Sequence, residues 1–182
     1  MECTCVIFAL NINSDDANKD KMSIEITTCF ESPLGLIEIN VSDDAISCIS
    51  FIERKKSTMD KHPLLIEAVL QLEQYFKSER IAFDLPIKQT GTDFQLRVWN
   101  ELVAIPFGKT MSYLQLSKKL GHVKAIRAVG TTNGKNKIAI VVPCHRVIGT
   151  DGSLTGYAGG LWRKQWLLEH ESNLISRQQK LF

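Results

Sequence analysis

At 182 residues the chain suits one large domain or two small ones and can bury a real core. Its 44% hydrophobic and 23% charged content is that of an ordinary globular protein; no apolar run approaches a membrane span, and Cys5 to Leu10 lacks the basic leader of a signal peptide. The net charge of +2 hides an asymmetry: residues 1–93 hold 9 Lys/Arg against 16 Asp/Glu, whereas residues 94–182 hold 13 against 4.

Within 102–150 there are eight Lys/Arg and no acidic residue. Such one-sidedness points to a polyanion partner, with a solvated basic face as the plainer reading. The five cysteines (Cys3, Cys5, Cys29, Cys48 and Cys144) are odd in number and scattered. That fits a reducing compartment rather than a disulfide framework. Cys3 and Cys5 have no second pair at ligand spacing, so no metal is expected.

Residues 1–22 are polar and turn-rich and read as an extension. Ile24–Phe30, Leu36–Val41 and Ala45–Ile52 read as three short strands, with Pro33-Leu34-Gly35 and Asp43-Asp44 as turns. From Pro63 to Lys77 the apolar residues recur at helical spacing, and Pro63 suits a first turn. Ile81–Pro86 can add a strand. Nothing in this half has catalytic spacing, so its expected job is structural. A first domain over 23–86 is followed by a linker around Pro86 and Gly91 and a second domain over 91–172, leaving 173–182 as a tail.

Asp93–Ile105 reads as a helix with Phe94, Val98, Trp99 and Leu102 on one face. Ser112 caps a second helix, Tyr113–Leu120. Gly121-His122-Val123 is a tight turn, and Lys124–Thr132 forms a third helix. Two short helices joined this way, the second carrying Lys124 and Arg127, make a helix-turn-helix signature, although helical hairpins also occur in plain cores. Ile138–Val142 is a β-branched apolar run stopped by Pro143 and reads as a buried strand. Past it come Cys144, His145 and Arg146. A thiol near cationic groups is easier to ionise, and the thiolate is the nucleophile; a lone Cys here would otherwise be a small core residue. Ile148–Thr155, with Asp151-Gly152 at its tip, reads as a hairpin wing, and Leu161–Glu171 as a last helix.

The run Pro143-Cys144-His145-Arg146-Val147, with Gly156-Tyr157 and Trp166-Leu-Leu-Glu-His-Glu171, resembles the O6-alkylguanine-DNA alkyltransferase family from about Gly91 to Glu171. A weaker match covers Thr27 to Ile39. The resemblance implies an α+β protein: a small ribonuclease-H-like α/β domain, then a mostly helical winged helix-turn-helix domain. It implies transfer of an alkyl group from guanine O6, or thymine O4, in double-stranded DNA to Cys144. The base is flipped out of the stack, and each molecule acts once.

By the same resemblance His145 takes the thiol proton through a water and Glu171 orients it. Asn136 holds the active-site turn, and Tyr113 donates to the guanine ring. Arg127 fills the gap left by the flipped base. Lys124, Ala125 and Ser112 sit on the DNA side, in the minor groove, and Val147 and Tyr157 line the base pocket. Ala158 stands where many relatives have serine, so one donor is lost and tolerance for larger alkyl groups is expected to widen. Some relatives hold zinc in the first domain, but Ser47 falls where a ligand histidine belongs. No cofactor is implied. The chain is expected to act as a monomer, in the cytoplasm or, for a eukaryotic source, the nucleus. Two other classes compete. A non-catalytic lesion binder would lack the reactive cysteine. A cysteine hydrolase would need Cys144 and His145 face to face and would turn over.

Overall fold

The computed structural model describes residues 25–54 and 62–179. The expected extension over 1–22, with Cys3 and Cys5, lies outside the described residues, as does Ile24 of the first predicted strand.

Strands β1 (Ile26–Ser32), β2 (Gly35–Ser42) and β3 (Ala45–Ile52) form an antiparallel meander in that order. Both connections are two residues long. In the second, Asp43 and Asp44 take left-handed backbone (φ 50° and 56°), the twist a two-residue hairpin loop requires. Helix α1 (Pro63–Phe76) starts with proline in its first turn, and the His62 ring accepts from the Leu64 amide. It packs on β1 and β2, burying Leu65, Ala68, Leu72 and Tyr75. The strand expected over 81–86 is not formed. Only Ile87, just beyond it, bridges to Ile46 of β3.

Helix α2 (Asp93–Val103) opens on a capping box in which Thr92 and Gln95 satisfy each other's backbone amides. It buries Val98, Trp99 and Leu102, and the Trp99 indole donates to the Thr132 carbonyl. Strand β4 (Met111–Ser112) leads into α3 (Tyr113–Lys119), capped by Ser112 and Gln115. The third helix of the hairpin begins later than expected. Val123–Ala125 is a 3-10 turn, and α4 runs over Ile126–Gly134. Val147–Ile148 (β5) pairs in parallel with β4. The hairpin expected over 148–155 is replaced by a loop closed on itself, with the Gly149 amide donating to the Ser153 carbonyl. Helix α5 spans Leu161–Gln179. Residues 173–179, expected as tail, continue it because Ile175 packs where a side chain on Gly108 would lie.

Ile138–Val142 is buried as predicted but is not a strand. Ile138 alone bridges to Ile49 of β3, through Ile49 N to Lys137 O (2.8 Å) and Ala139 N to Ile49 O (2.8 Å). The chain then turns sharply, with Ile140 at φ 70°. A β-branched run signals burial, and burial here comes from side-chain packing. Beyond the Ile49 bridge, the backbone is satisfied by the Asn136 side chain and by bonds within the turn. One continuous core joins Ile37, Ile39 and Ile49 of the sheet with Trp99, Ile105, Val129, Val142 and Leu167.

Candidate active site

Cys144 opens the 3-10 turn Cys144–Arg146 and is 6% exposed. It shares a cavity of about 90 Å³ with Ile49, Ser50 and Phe51 of β3, Asn133, Asn136 and the loop Gly156–Gly159. Asn136 holds the turn beneath it. Its amide donates to the Ile138 and Val142 carbonyls (3.2 and 2.8 Å), and its side-chain oxygen accepts from Ile138 N and Gln89. Asn133 adds a bond to the Cys144 carbonyl.

His145 and Arg146 turn away from the thiol into the core. The His145 Nε2 lies 2.9 Å from Glu171 Oε1, and Arg146 makes a two-pronged contact with both carboxylate oxygens at 2.9 Å. Glu171 also accepts from the Tyr75 hydroxyl and the Gly108 amide. It is fully buried at mid-helix, not an exposed helix end. A carboxylate only accepts, so Nε2 carries the proton and Nδ1 keeps its lone pair. That Nδ1 is buried and has no protein partner.

The electrostatics follow from burial. Desolvation lowers the pKa of His145 despite its bond to Glu171, so the ring is neutral at pH 7. Burial pushes Glu171 up, but the His145 hydrogen bond and the Arg146 guanidinium overcome it and hold the carboxyl at about 2. The thiol departs from the expectation of easy ionisation. Burial raises the Cys144 pKa, only partly offset by the Asn136 hydrogen bond and the charge of Lys164. The Arg146 guanidinium, close to it in sequence, is spent on Glu171. The cation that acts on it is Lys164, which is fully buried, donates to the Thr155 carbonyl (2.7 Å), and is lowered by desolvation to about 8.

Tyr113 donates to the Thr155 carbonyl (3.3 Å) and accepts from Asn133, and burial raises its pKa, so the phenol stays protonated. Tyr157 and Ala158 line the cavity. Val147, expected beside them, is instead fully buried in the core, its backbone paired with Met111. Lys124 and Arg127 are exposed, and Ala125 lies between them in the 3-10 turn. Ser112 is bound into its cap. Of the eight basic residues in 102–150, Arg146 is buried; the other seven are exposed.

Sequence reasoning missed Lys164, Asn133, Tyr75 and Phe51. Lys164 had a signal, since it shares a face of α5 with Leu167 and Glu171. Tyr75 lies on the apolar stripe of α1, where an aromatic residue reads as core. Its reach to Glu171 crosses 96 positions of sequence.

A thiol beside a cavity, followed in the chain by a clamped imidazole, is the kind of site that transfers a group to or through sulfur. Known proteins narrow that class. Residues 93–173 match the family model described as "6-O-methylguanine DNA methyltransferase, DNA binding domain", and residues 26–89 match its "ribonuclease-like domain". The chain belongs to the 6-O-methylguanine DNA methyltransferase family. It is 44% identical over 150 residues to the methylated-DNA--protein-cysteine methyltransferase of Methanosarcina acetivorans, covering 79% of this chain and 96% of that one. The protein of the same name from Mycobacterium tuberculosis is 51% identical over 115 residues, 63% of this chain and 70% of that one. The crystal structure of the Mycobacterium tuberculosis O6-methylguanine methyltransferase superposes with a TM-score of 0.75 at 39% identity, covering 82% and 94% of the two chains. A Mycobacterium tuberculosis structure in complex with DNA gives 0.73 at 42%, covering 82% and 93%.

Proposed function

We propose that this chain repairs alkylated DNA by moving one alkyl group, in one irreversible step, from O6 of a flipped-out guanine to Sγ of Cys144. The observation that carries the reading is the His145 ring: Nε2 fixed on Glu171, Nδ1 unpartnered, and the neighbouring thiol facing a cavity. The thiol proton passes through a water to Nδ1. The thiolate attacks the alkyl carbon in line. The C–S bond forms as the C–O6 bond breaks, and that electron pair goes to the guanine. The Tyr113 hydroxyl donates to the base as charge builds, and the proton removed from sulfur ends on the guanine, which leaves neutral. The thioether does not hydrolyse, so each molecule acts once.

Double-stranded DNA is met by the exposed basic residues between Lys109 and Lys137, with Ser112, Lys124 and Ala125 on that face. Arg127, at the start of α4, fills the space of the flipped base. A monomer suffices, since every group named comes from one chain. The hydrolase reading loses support because the free Nδ1 makes no contact with sulfur.

The test is intact-mass analysis after incubation with duplex DNA carrying O6-methylguanine. One methyl group per molecule, located on Cys144 and absent from Cys144→Ala, is expected. Unmodified protein, or several lesions cleared per molecule, would overturn the reading.

A further inference from the structure

The cavity beside Cys144 has a wall that the first half of the chain supplies. Phe51, near the end of β3, lines it together with Ile49 and Ser50. The Phe51 ring lies against the loop on the other side of the sequence. A Cβ built on Gly159 would stand 2.8 Å from Phe51 Cδ2 and 2.9 Å from Tyr157 Cε1. Only a glycine lets the loop approach the ring this closely.

Phe51 is braced. The Arg163 guanidinium lies 4.6 Å from the centre of the Phe51 ring and 4.5 Å from that of Trp162. Its Nε donates to the Leu34 carbonyl in the β1–β2 turn (2.8 Å), and its Nη1 donates to the Gly159 carbonyl (2.7 Å). One side chain on α5 therefore fixes the sheet turn, the pocket loop and the aromatic wall at once. Lys164 ties the other end of the loop at the Thr155 carbonyl. A wall held at both ends does not yield to a larger ligand without breaking directional hydrogen bonds.

Resting on the alkyl-transfer reading above, we propose that Phe51 is the size-determining residue of the alkyl pocket and that Arg163 is the positioning residue that holds it there. The ligand class it discriminates is the O6 substituent itself: small alkyl groups pass, while planar aromatic or branched groups meet the ring. Ala158 and Gly159 add little bulk on the loop side, so the Phe51 ring is the bulky part of the wall that the sheet supplies.

The experiment measures single-turnover rates with two duplexes that differ only in carrying O6-methylguanine or O6-benzylguanine. The readout is the benzyl-to-methyl ratio, which cancels any general loss of activity. Phe51→Ala is expected to raise that ratio about tenfold, the scale on which a pocket discriminates by bulk. Phe51→Leu gives a smaller rise, and Phe51→Trp lowers it. Arg163→Met, which leaves the ring but removes its brace, also raises the ratio, by less than Phe51→Ala. A cooperative thermal unfolding transition reports that each variant is folded. Ratios for Phe51→Leu and Phe51→Trp equal to the parent's would overturn the proposal. A parent inert with both duplexes would instead overturn the alkyl-transfer reading on which it stands.

Discussion

Buried as it is, the Cys144 thiol is a weaker acid than a free one. Burial raises the Cys144 pKa, and the two largest influences that pull it back are the Asn136 amide and the Lys164 ammonium. Lys164 is fully buried, and its ammonium lies 5.8 Å from the centre of the Tyr113 ring, on the same side of the site as the hydroxyl that would meet the base. Replacing it with methionine removes the charge and keeps the length. The rate of Cys144 alkylation by iodoacetamide, followed against pH, is then expected to shift its midpoint upward, with several-fold slower labelling at neutral pH. An unchanged profile would show that Lys164 only packs. Arg127 differs in kind, being exposed and absent from the residues that line the Cys144 cavity. Arg127→Ala is expected to slow alkyl transfer from duplex DNA while leaving iodoacetamide labelling at the parent rate, because only base extrusion is affected.

At the scale of the element, the segment between α4 and β5 holds the site in place without regular structure. Asn136 adds to a single strand bridge, bonding Ile138 at both its amide and its carbonyl, and Val142 at its carbonyl. Asn136→Ala leaves the buried Ile138 amide unpaired, while the Ile138 and Val142 carbonyls keep the Val142 and Cys144 amides, so the cost is about 1–3 kcal/mol. A lower melting temperature and a lower transfer rate are expected together, measured by calorimetry and by intact mass. The turn is also pinned to β3 by two backbone bonds at Ile49. Displacement of Cys144 is therefore opposed from both halves of the chain.

At the scale of the molecule, Glu171 is the point where distant segments meet: Tyr75 from α1, Gly108 after α2, and His145 with Arg146 from the site. Its carboxyl is at about 2 in the fold and 4.5 in an open chain. A depressed carboxyl adds stability that is complete above pH 4.5 and disappears as the pH falls toward 2, amounting to about 3 kcal/mol. His145, also held below its open-chain value of 6.5, adds to the loss on the acid side, since the unfolded ring takes a proton first. Stability measured by urea unfolding is expected to decline below pH 6.5 and more steeply below 4.5. In Glu171→Gln the steep limb is expected to flatten. If that limb persists unchanged in the variant, the carboxylate is not its source.

The sequence by itself determined the elements whose signals are local. Alternating strands between short turns and the helices α2 and α3 follow from spacing and side-chain type, Cys144 stands out as a thiol just past a buried run, and His145 and Glu171 as its expected helpers came from the family resemblance. The basic stretch from 102 to 150 already indicated a polyanion. Tertiary structure decided everything that depends on which groups share a buried volume. Ile138–Val142 became a turn whose backbone is satisfied by the Asn136 side chain, by Ile49 of β3 and by bonds within the turn itself. Arg146 became the partner of Glu171 and not of the thiol, and Lys164, unremarked in an amphipathic helix, became the cation acting on sulfur. The first half, which carries no catalytic spacing, supplied Tyr75 to the acid cluster and Phe51 to the pocket wall. Burial sets dielectric and hence charge state, and burial is a property of the packed chain that no short stretch of residues contains.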